Sequence, residues 1–267
     1  MELDDIRKHW EKEGEKLNLS ERVTITSRDP FLGKLEEEFI LQYLKHDQDV
    51  LEIGCGDAAH AVKYAKQVNF LWGLDIAQSL ISLAQQRVVL AGLSNIKFQV
   101  GSVLEINSII RRPIDCAISQ RCLINLPDWR YQQQAIVEIW KLLKPKGLFL
   151  MTEGFQDELV NLNSLRQKAG LDSIKTVNYN RNLVHDEFDA FIQHYFIVEA
   201  VHHYGLYLFL SRVYHPLVVS PEQPKHDARL NEIASLLCKM VDAPELKKFS
   251  YNLFYVLRKR DEDDMLK

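Results

Sequence analysis

The chain has 267 residues, of which 46% are hydrophobic and 26% charged, with a formal net charge of −4. That size accommodates one α/β domain with a cap, or two small domains, and the composition is that of an ordinary globular protein. An acidic balance argues against a broad nucleic-acid footprint, which needs a basic surface, and no apolar run reaches the roughly 20 residues of a membrane helix.

Residues 1–20 read as a polar helical arm with Ile6 and Trp10 on one face. The arm is charged and lacks an apolar signal core, so a cytoplasmic location is expected. A helix over Leu32 to Tyr43 leads to a strand at 49–53, and the pattern then alternates. Helix 58–67, strand 69–74, helix 78–92 and strands 96–100 and 114–118 follow in order. Helix 130–143 runs up to Lys144-Pro-Lys-Gly147, which reads as a helix stop and turn before a strand at 147–152. Strand, helix, strand with short connections implies a parallel sheet covered on both faces.

Beyond residue 153 the rhythm changes. A helix is expected at 156–170, a short strand or loop at 172–179, a helix from His185 to Gln193 and a strand at 195–201. Amphipathic stretches at 205–218 and 227–241 precede a last strand, Tyr251 to Leu257. The expected fold class is α/β: a doubly wound, mostly parallel seven-stranded sheet. It carries an N-terminal helical arm and a helical insertion near the C-terminus. One domain over 1–267 is expected, with 1–45 as a cap. The insertion at about 205–245 and the arm would together form a lid, and the stretch 227–241 could equally be a homodimer contact.

The most informative stretch is Val50-Leu-Glu-Ile-Gly-Cys-Gly-Asp-Ala58. Apolar positions around Glu52 run into Gly54 and Gly56, and glycine is needed where backbone must turn sharply or touch a ligand. A strand that breaks at two glycines and opens a helix presents unpaired amide N–H groups, a cradle for a nucleoside-type ligand. Asp75, nineteen residues after Gly56, closes the next apolar run, the position from which a β-α-β site binds ribose hydroxyls. Cys55, Cys116, Cys122 and Cys238 show no C-x-x-C spacing and read as reduced thiols. No His or carboxylate spacing suggests a metal site, so none is expected.

With these motifs the sequence resembles the class I S-adenosylmethionine-dependent methyltransferases, well over residues 30–153 and loosely beyond. VLEIGCGDA resembles the family's glycine loop, GLDIA (73–77) the second-strand acid, PIDCAISQRCLINL (113–126) the fourth strand, and LLKPKGLFLMTE (142–153) the turn into the fifth. Ala58 replaces a frequent third glycine and is small enough for the helix to pack. The resemblance implies a Rossmann-like methyltransferase fold, S-adenosylmethionine as cofactor and S-adenosylhomocysteine as product. It implies a cofactor-binding core at 46–153 and a substrate-side half at 154–267. Gly54, Gly56 and the backbone at Cys55 would hold the methionine end, with Glu52 orienting it. Asp75 would accept the ribose hydroxyls and Ile76 would lie against adenine. Ser102, followed by Val103, stands where the family usually has an aspartate near the adenine amine. Ser119 and Gln120 would flank the reactive methyl.

Methyl transfer from a sulfonium needs alignment and water exclusion, and a base only where the acceptor must lose a proton. Candidates for a catalytic role are Glu153 after the fifth strand and His203 in the His/Tyr-rich second half. Glu153 reads equally as a helix-start acid. Trp10, Arg121, Asn125, Arg166 and Arg212 are candidate substrate contacts, or packing and ion-pairing residues. After the fourth strand stands Ser-Gln-Arg-Cys rather than the Asn/Asp-Pro-Pro-aromatic motif of nucleic-acid amine methyltransferases. Together with the acidic balance, this points to a small-molecule or sugar-linked acceptor, with no nucleic acid or membrane partner. RCLINL and NLNSLRQKAGL resemble small methyltransferases of bacterial surface-polysaccharide and capsule clusters. Two alternatives share the ribose logic: an NAD-dependent oxidoreductase, and a non-catalytic cofactor-binding partner subunit.

Overall fold

The computed structural model describes residues 2–17 and 29–261; residues 1 and 18–20 of the expected arm lie outside them. One sheet of seven strands has the order β3-β2-β1-β4-β5-β7-β6. The strands are β1 (Asp49–Ile53), β2 (Phe70–Asp75), β3 (Ile96–Val100), β4 (Ile114–Gln120), β5 (Leu143–Gly154), β6 (Phe196–His203) and β7 (Asn252–Lys259). From β3 across to β5 all neighbours are parallel, and β7 runs antiparallel to both β5 and β6. The sheet is the doubly wound, mostly parallel one expected from the alternating pattern. Its strand order reverses between β1 and β4, which opens a crevice beyond their carboxyl ends.

Parallel strands covered on both faces must be apolar throughout, and Val50, Leu51 and Ile53 of β1 are all buried. On one face Leu51, Ile53, Ala117 and Phe149 pack under α5 (Ile106–Ile109), α6 (Trp129–Leu142) and α8 (His185–Ile192). On the other, Val50, Leu71, Ile118 and Leu150 meet α2 (Pro30–Leu41), α3 (Ala61–Tyr64) and α4 (Gln78–Ala91). Caps explain several helix ends. Asp29 accepts from the amides of Phe31 and Leu32 with Pro30 opening α2, Asp128 caps α6, and Gly92 ends α4 in a left-handed conformation.

Two local expectations change, and one left open is decided. Lys144-Pro-Lys-Gly147 is not outside the sheet. Leu143 already pairs with Ile114, and the segment bulges before pairing resumes at Cys116–Leu148. Lys144 Nζ reaches both oxygens of Asp115, at 2.9 and 2.8 Å, and a Cβ at Gly147 would come within 2.9 Å of the Lys144 carbonyl. The expected helix at 58–67 is only α3 and a 3-10 turn. Of the short strand or loop expected at 172–179, the loop is what forms, after α7 (Gln156–Lys168).

The lid expectation is corrected in part. α1 (Leu3–Glu15) packs on α4 over the crevice. Glu11 Oε1 accepts from the Ser79 amide at 3.0 Å, and Gly14 admits Ser79 so closely that a Cβ there would lie 2.3 Å from its hydroxyl oxygen. The 205–245 insertion instead packs beside the sheet. Its helices α9 (Gly205–Phe209), α10 (His215–Val219) and α11 (Arg229–Met240), with a π turn at Leu210–Tyr214, meet one another and α2. None of its residues lines the crevice.

Candidate functional site

Beyond the carboxyl ends of β1, β2 and β4 lies a cleft of about 1060 Å³, its open mouth included. Its floor is the glycine turn. Gly54 and Gly56 take positive φ values of 67° and 55°, a region that favours glycine. A Cβ on Gly54 would also lie 2.9 Å from the Cys122 sulfur. The expected row of unpaired amides is corrected: Gly54 and Cys55 both donate to the Leu74 carbonyl, at 2.8 and 3.0 Å. Gly56 donates to Asp75 Oδ2 at 2.9 Å. The amides are used to lock the turn onto β2, and the short α3 that follows offers no helix end to the cleft.

Asp75 therefore has two faces. One carboxylate oxygen holds Gly56, the other accepts from Ala77 N at 3.0 Å, and the residue still lines the cleft. Burial pushes its carboxyl up to about 6 against the opposing pull of these amides. Behind the turn, Glu52 is buried and its Oε2 has no hydrogen-bond partner. Burial first, then the charges of Asp57 and Asp75, hold the Glu52 pKa well above the ordinary carboxylate range.

The second wall is the loop after β4, and Glu153 shapes it. Glu153 is fully buried beside that loop. Its Oε1 accepts from Ser119 Oγ (2.6 Å), Cys122 N (3.0 Å) and Leu123 N (3.0 Å), and its Oε2 from Ile124 N (3.2 Å). Arg121, at a left-handed φ of 54°, turns into the cleft and pairs with the fully buried Glu36 of α2. Glu36 is held in turn by Asn252 Nδ2 at 3.1 Å. Gln120 accepts from Tyr64 OH at 2.8 Å and leaves its Nε2 buried and unpartnered at the cleft wall.

The roof comes from two segments far apart in sequence. Leu3, Ile6 and Trp10 of α1 face Tyr179 and Asn180 of the loop after α7. Trp10 meets Tyr179 edge-on with ring centroids 5.6 Å apart, and His9 lies 4.3 Å from the same ring. Below them Ile124 and Leu126 add an apolar side.

The structure thus brings together Trp10, Gly54, Gly56, Asp75, Ile76, Ser102, Val103, Gln120, Arg121 and Asn125 around one cleft. Glu52, Cys55 and Ser119 stand behind it. Four expectations are corrected. Glu153 as a group acting on substrate is one: every hydrogen bond it accepts comes from the scaffold, and it does not reach the cleft. His203 is another, since it lines a separate hollow with His202 and accepts from Gly205 N at 3.4 Å. Arg212, as a substrate contact, is bonded instead to the buried Asp29, and Arg166 donates to the Arg212 carbonyl. Sequence reasoning missed Leu3, Ile6, Cys122, Ile124, Leu126, Tyr179 and Asn180. The run Asn178-Tyr-Asn-Arg-Asn182 is polar and aromatic without periodicity, so only its composition hinted at a binding loop.

Comparison with known proteins adds a family. A family model described as a methyltransferase domain matches residues 44–195, more than half of the chain. The "Probable methyltransferase ltbC" of Aspergillus luteorubrus is 25% identical over 133 residues, 47% of this chain and 46% of that protein. The 2-heptyl-1-hydroxyquinolin-4(1H)-one methyltransferase of Mycobacteroides abscessus is 33% identical over 82 residues, 30% of this chain and 36% of that protein. The chain therefore matches less than half the length of these curated relatives. In fold it is similar to the N-methyltransferase NodS from Bradyrhizobium japonicum WM9, solved with S-adenosylhomocysteine. The TM-score is 0.58 at 14% identity, covering 97% of this chain and 100% of that one.

Proposed function

The chain belongs to the methyltransferase-domain family, with the class I, S-adenosylmethionine-dependent architecture, and on that footing we propose that it transfers a methyl group to a small-molecule or sugar-linked acceptor. The single observation that supports this most is the cleft that joins Asp75 to the positive-φ glycine turn at the carboxyl ends of β1 and β2. The residues fit an adenosyl amino-acid ligand. Asp75 keeps lone pairs for two ribose hydroxyls, and Gly54 and Gly56 set bare backbone on the cleft floor. At the cleft wall the buried Gln120 Nε2 lacks a partner that the ligand's carboxylate can supply. Ile76, Ser102 and Val103 line the adenine end.

S-adenosylmethionine supplies a methyl already activated by sulfonium charge, so the protein's own work is alignment and exclusion of water. Leu3, Ile6 and Trp10 close the mouth, while Glu153 holds the 121–125 loop in place through the amides of Cys122, Leu123 and Ile124. Among the described residues lining the cleft, Asp75 is the sole carboxylate and no imidazole is present. The acceptor atom accordingly brings its own lone pair, as an amine or a readily ionised hydroxyl does. Methylation at O or N is our reading, and the hydroxyquinolone methyltransferase similar in sequence supports a small ring acceptor. Acceptors of surface-polysaccharide type fall within this class. Residues 46–153 would carry the cofactor half, and 154–267 with the arm the acceptor half.

The test is calorimetric titration with S-adenosylhomocysteine and, separately, with NAD. Binding of the homocysteine product alone is expected. Binding of NAD alone overturns the reading in favour of an oxidoreductase.

A further inference from the structure

Two buried oxygen atoms at the cleft have no counterpart in the protein. Asn125 donates its Nδ2 to the Arg121 carbonyl at 2.5 Å, which leaves Oδ1 as the acceptor end of its amide. That Oδ1 is shielded from solvent and receives no hydrogen bond. Asn180 Oδ1, from the loop after α7, is in the same condition. The two residues are neighbours across one bond, because Arg181 N donates to the Ile124 carbonyl at 2.6 Å and splices the two loops together. Both line the cleft. A shielded acceptor without a donor is costly, and such atoms in a cleft wall mark where a ligand supplies the donor.

The surroundings limit what that ligand is. The Arg121 guanidinium is neutralised by the buried Glu36, so this wall presents no net charge. Ile124 and Leu126 are apolar, and Trp10 and Tyr179 offer aromatic surface at the mouth. We propose that Asn125 and Asn180 act as a paired specificity element for a neutral ring compound, accepting hydrogen bonds from two of its hydroxyl or N–H groups while Trp10 and Tyr179 cover the ring. The pair selects the acceptor and takes no part in the bond changes. This rests on the methyl-transfer reading and deepens it.

Two kinds of ring carry this chemistry, and one assay separates them. Transfer of labelled methyl from S-adenosylmethionine is measured at about pH 8.5, where a sugar amine is chiefly the neutral free base, to methyl glycosides of amino sugars in one arm and to hydroxyquinolines bearing at least two O–H or N–H donors in the other. One arm is expected to take label. Asn125→Leu and Asn180→Leu should each lower kcat/KM on that ring at least tenfold, chiefly through KM. S-adenosylhomocysteine affinity should stay within twofold of wild type, which also reports that the variants fold. Blocking one donor of the ring as its methyl ether should cost the wild-type protein a similar factor and cost the matching Leu variant nothing further. Leu variants that discriminate between free and blocked rings as wild type does would overturn the proposal, as would transfer to neither ring with product binding intact. Loss of product binding in the wild-type protein would instead sink the methyl-transfer reading itself.

Discussion

Two hollows flank this sheet, and they use similar side chains to opposite ends. The cleft over β1 and β4 is walled by Asp75, Gln120, Asn125 and Asn180, of which the last three each leave a buried polar atom without a partner. The hollow between α2, β6 and α11 is lined by His202, His203, Phe39 and Gln42, yet its imidazoles are already engaged. His202 bonds Tyr43 OH at 2.8 Å and stacks on Phe39 at 4.7 Å, and burial lowers the pKa of both histidines. Residues rich in chemical potential are thus spent on structure in one place and left open in the other. Unsatisfied polar atoms, rather than the presence of histidine, distinguish the site.

The strongest way to break that contrast is at Glu153, placed here as scaffold. Glu153→Ala strands four buried donors and should cost about 3–5 kcal/mol of stability in a urea unfolding curve. A variant of normal stability that has lost only turnover would return Glu153 to the chemistry. Next in size, Asp75→Ala should weaken S-adenosylhomocysteine binding by about 1–3 kcal/mol through lost ribose bonds, read by calorimetry. Unchanged affinity would remove Asp75 from the site.

The pH profile sharpens the same point. With its carboxyl raised to about 6, Asp75 is ionised above that pH and is then the better acceptor for ribose hydroxyls. Affinity for S-adenosylhomocysteine should be level above pH 7 and fall as pH drops through 6, by up to about tenfold per unit. Asp75→Asn should show a weak and flat profile, and an unaltered slope in that variant would assign the titration to another group. The smallest effect belongs to the second hollow: His203→Ala should change product affinity by less than about 0.5 kcal/mol. A tenfold change there would erase the distinction between the two hollows.

Much of the molecule was legible beforehand where one physical rule dominates. Strands buried on both faces must be apolar, so β1, β2 and β4 stand out at Val50–Ile53, Phe70–Leu74 and Ile114–Ile118. A turn at positive φ favours glycine, which marks Gly54 and Gly56. The Lys144–Gly147 bulge was misread as a turn because proline and glycine punctuate both, and only the register with β4 separates them. Glu153 and His203 stood at plausible positions beyond strand ends. Which way a carboxylate or ring is consumed depends on partners remote in sequence, as Ser119 and Ile124 are for Glu153.

Local pattern alone therefore determined the doubly wound sheet, the glycine turn and the strand-end acid that lines the cleft, since each follows from burial and backbone sterics within a few residues. Tertiary structure alone decided that α1 and the Tyr179–Asn180 loop roof the cleft, that the 205–245 helices do not, and that Arg121 is tied to Glu36. Those outcomes hang on long-range packing and charge pairing, in which the free energy of a side chain is set by neighbours that no stretch of chain contains.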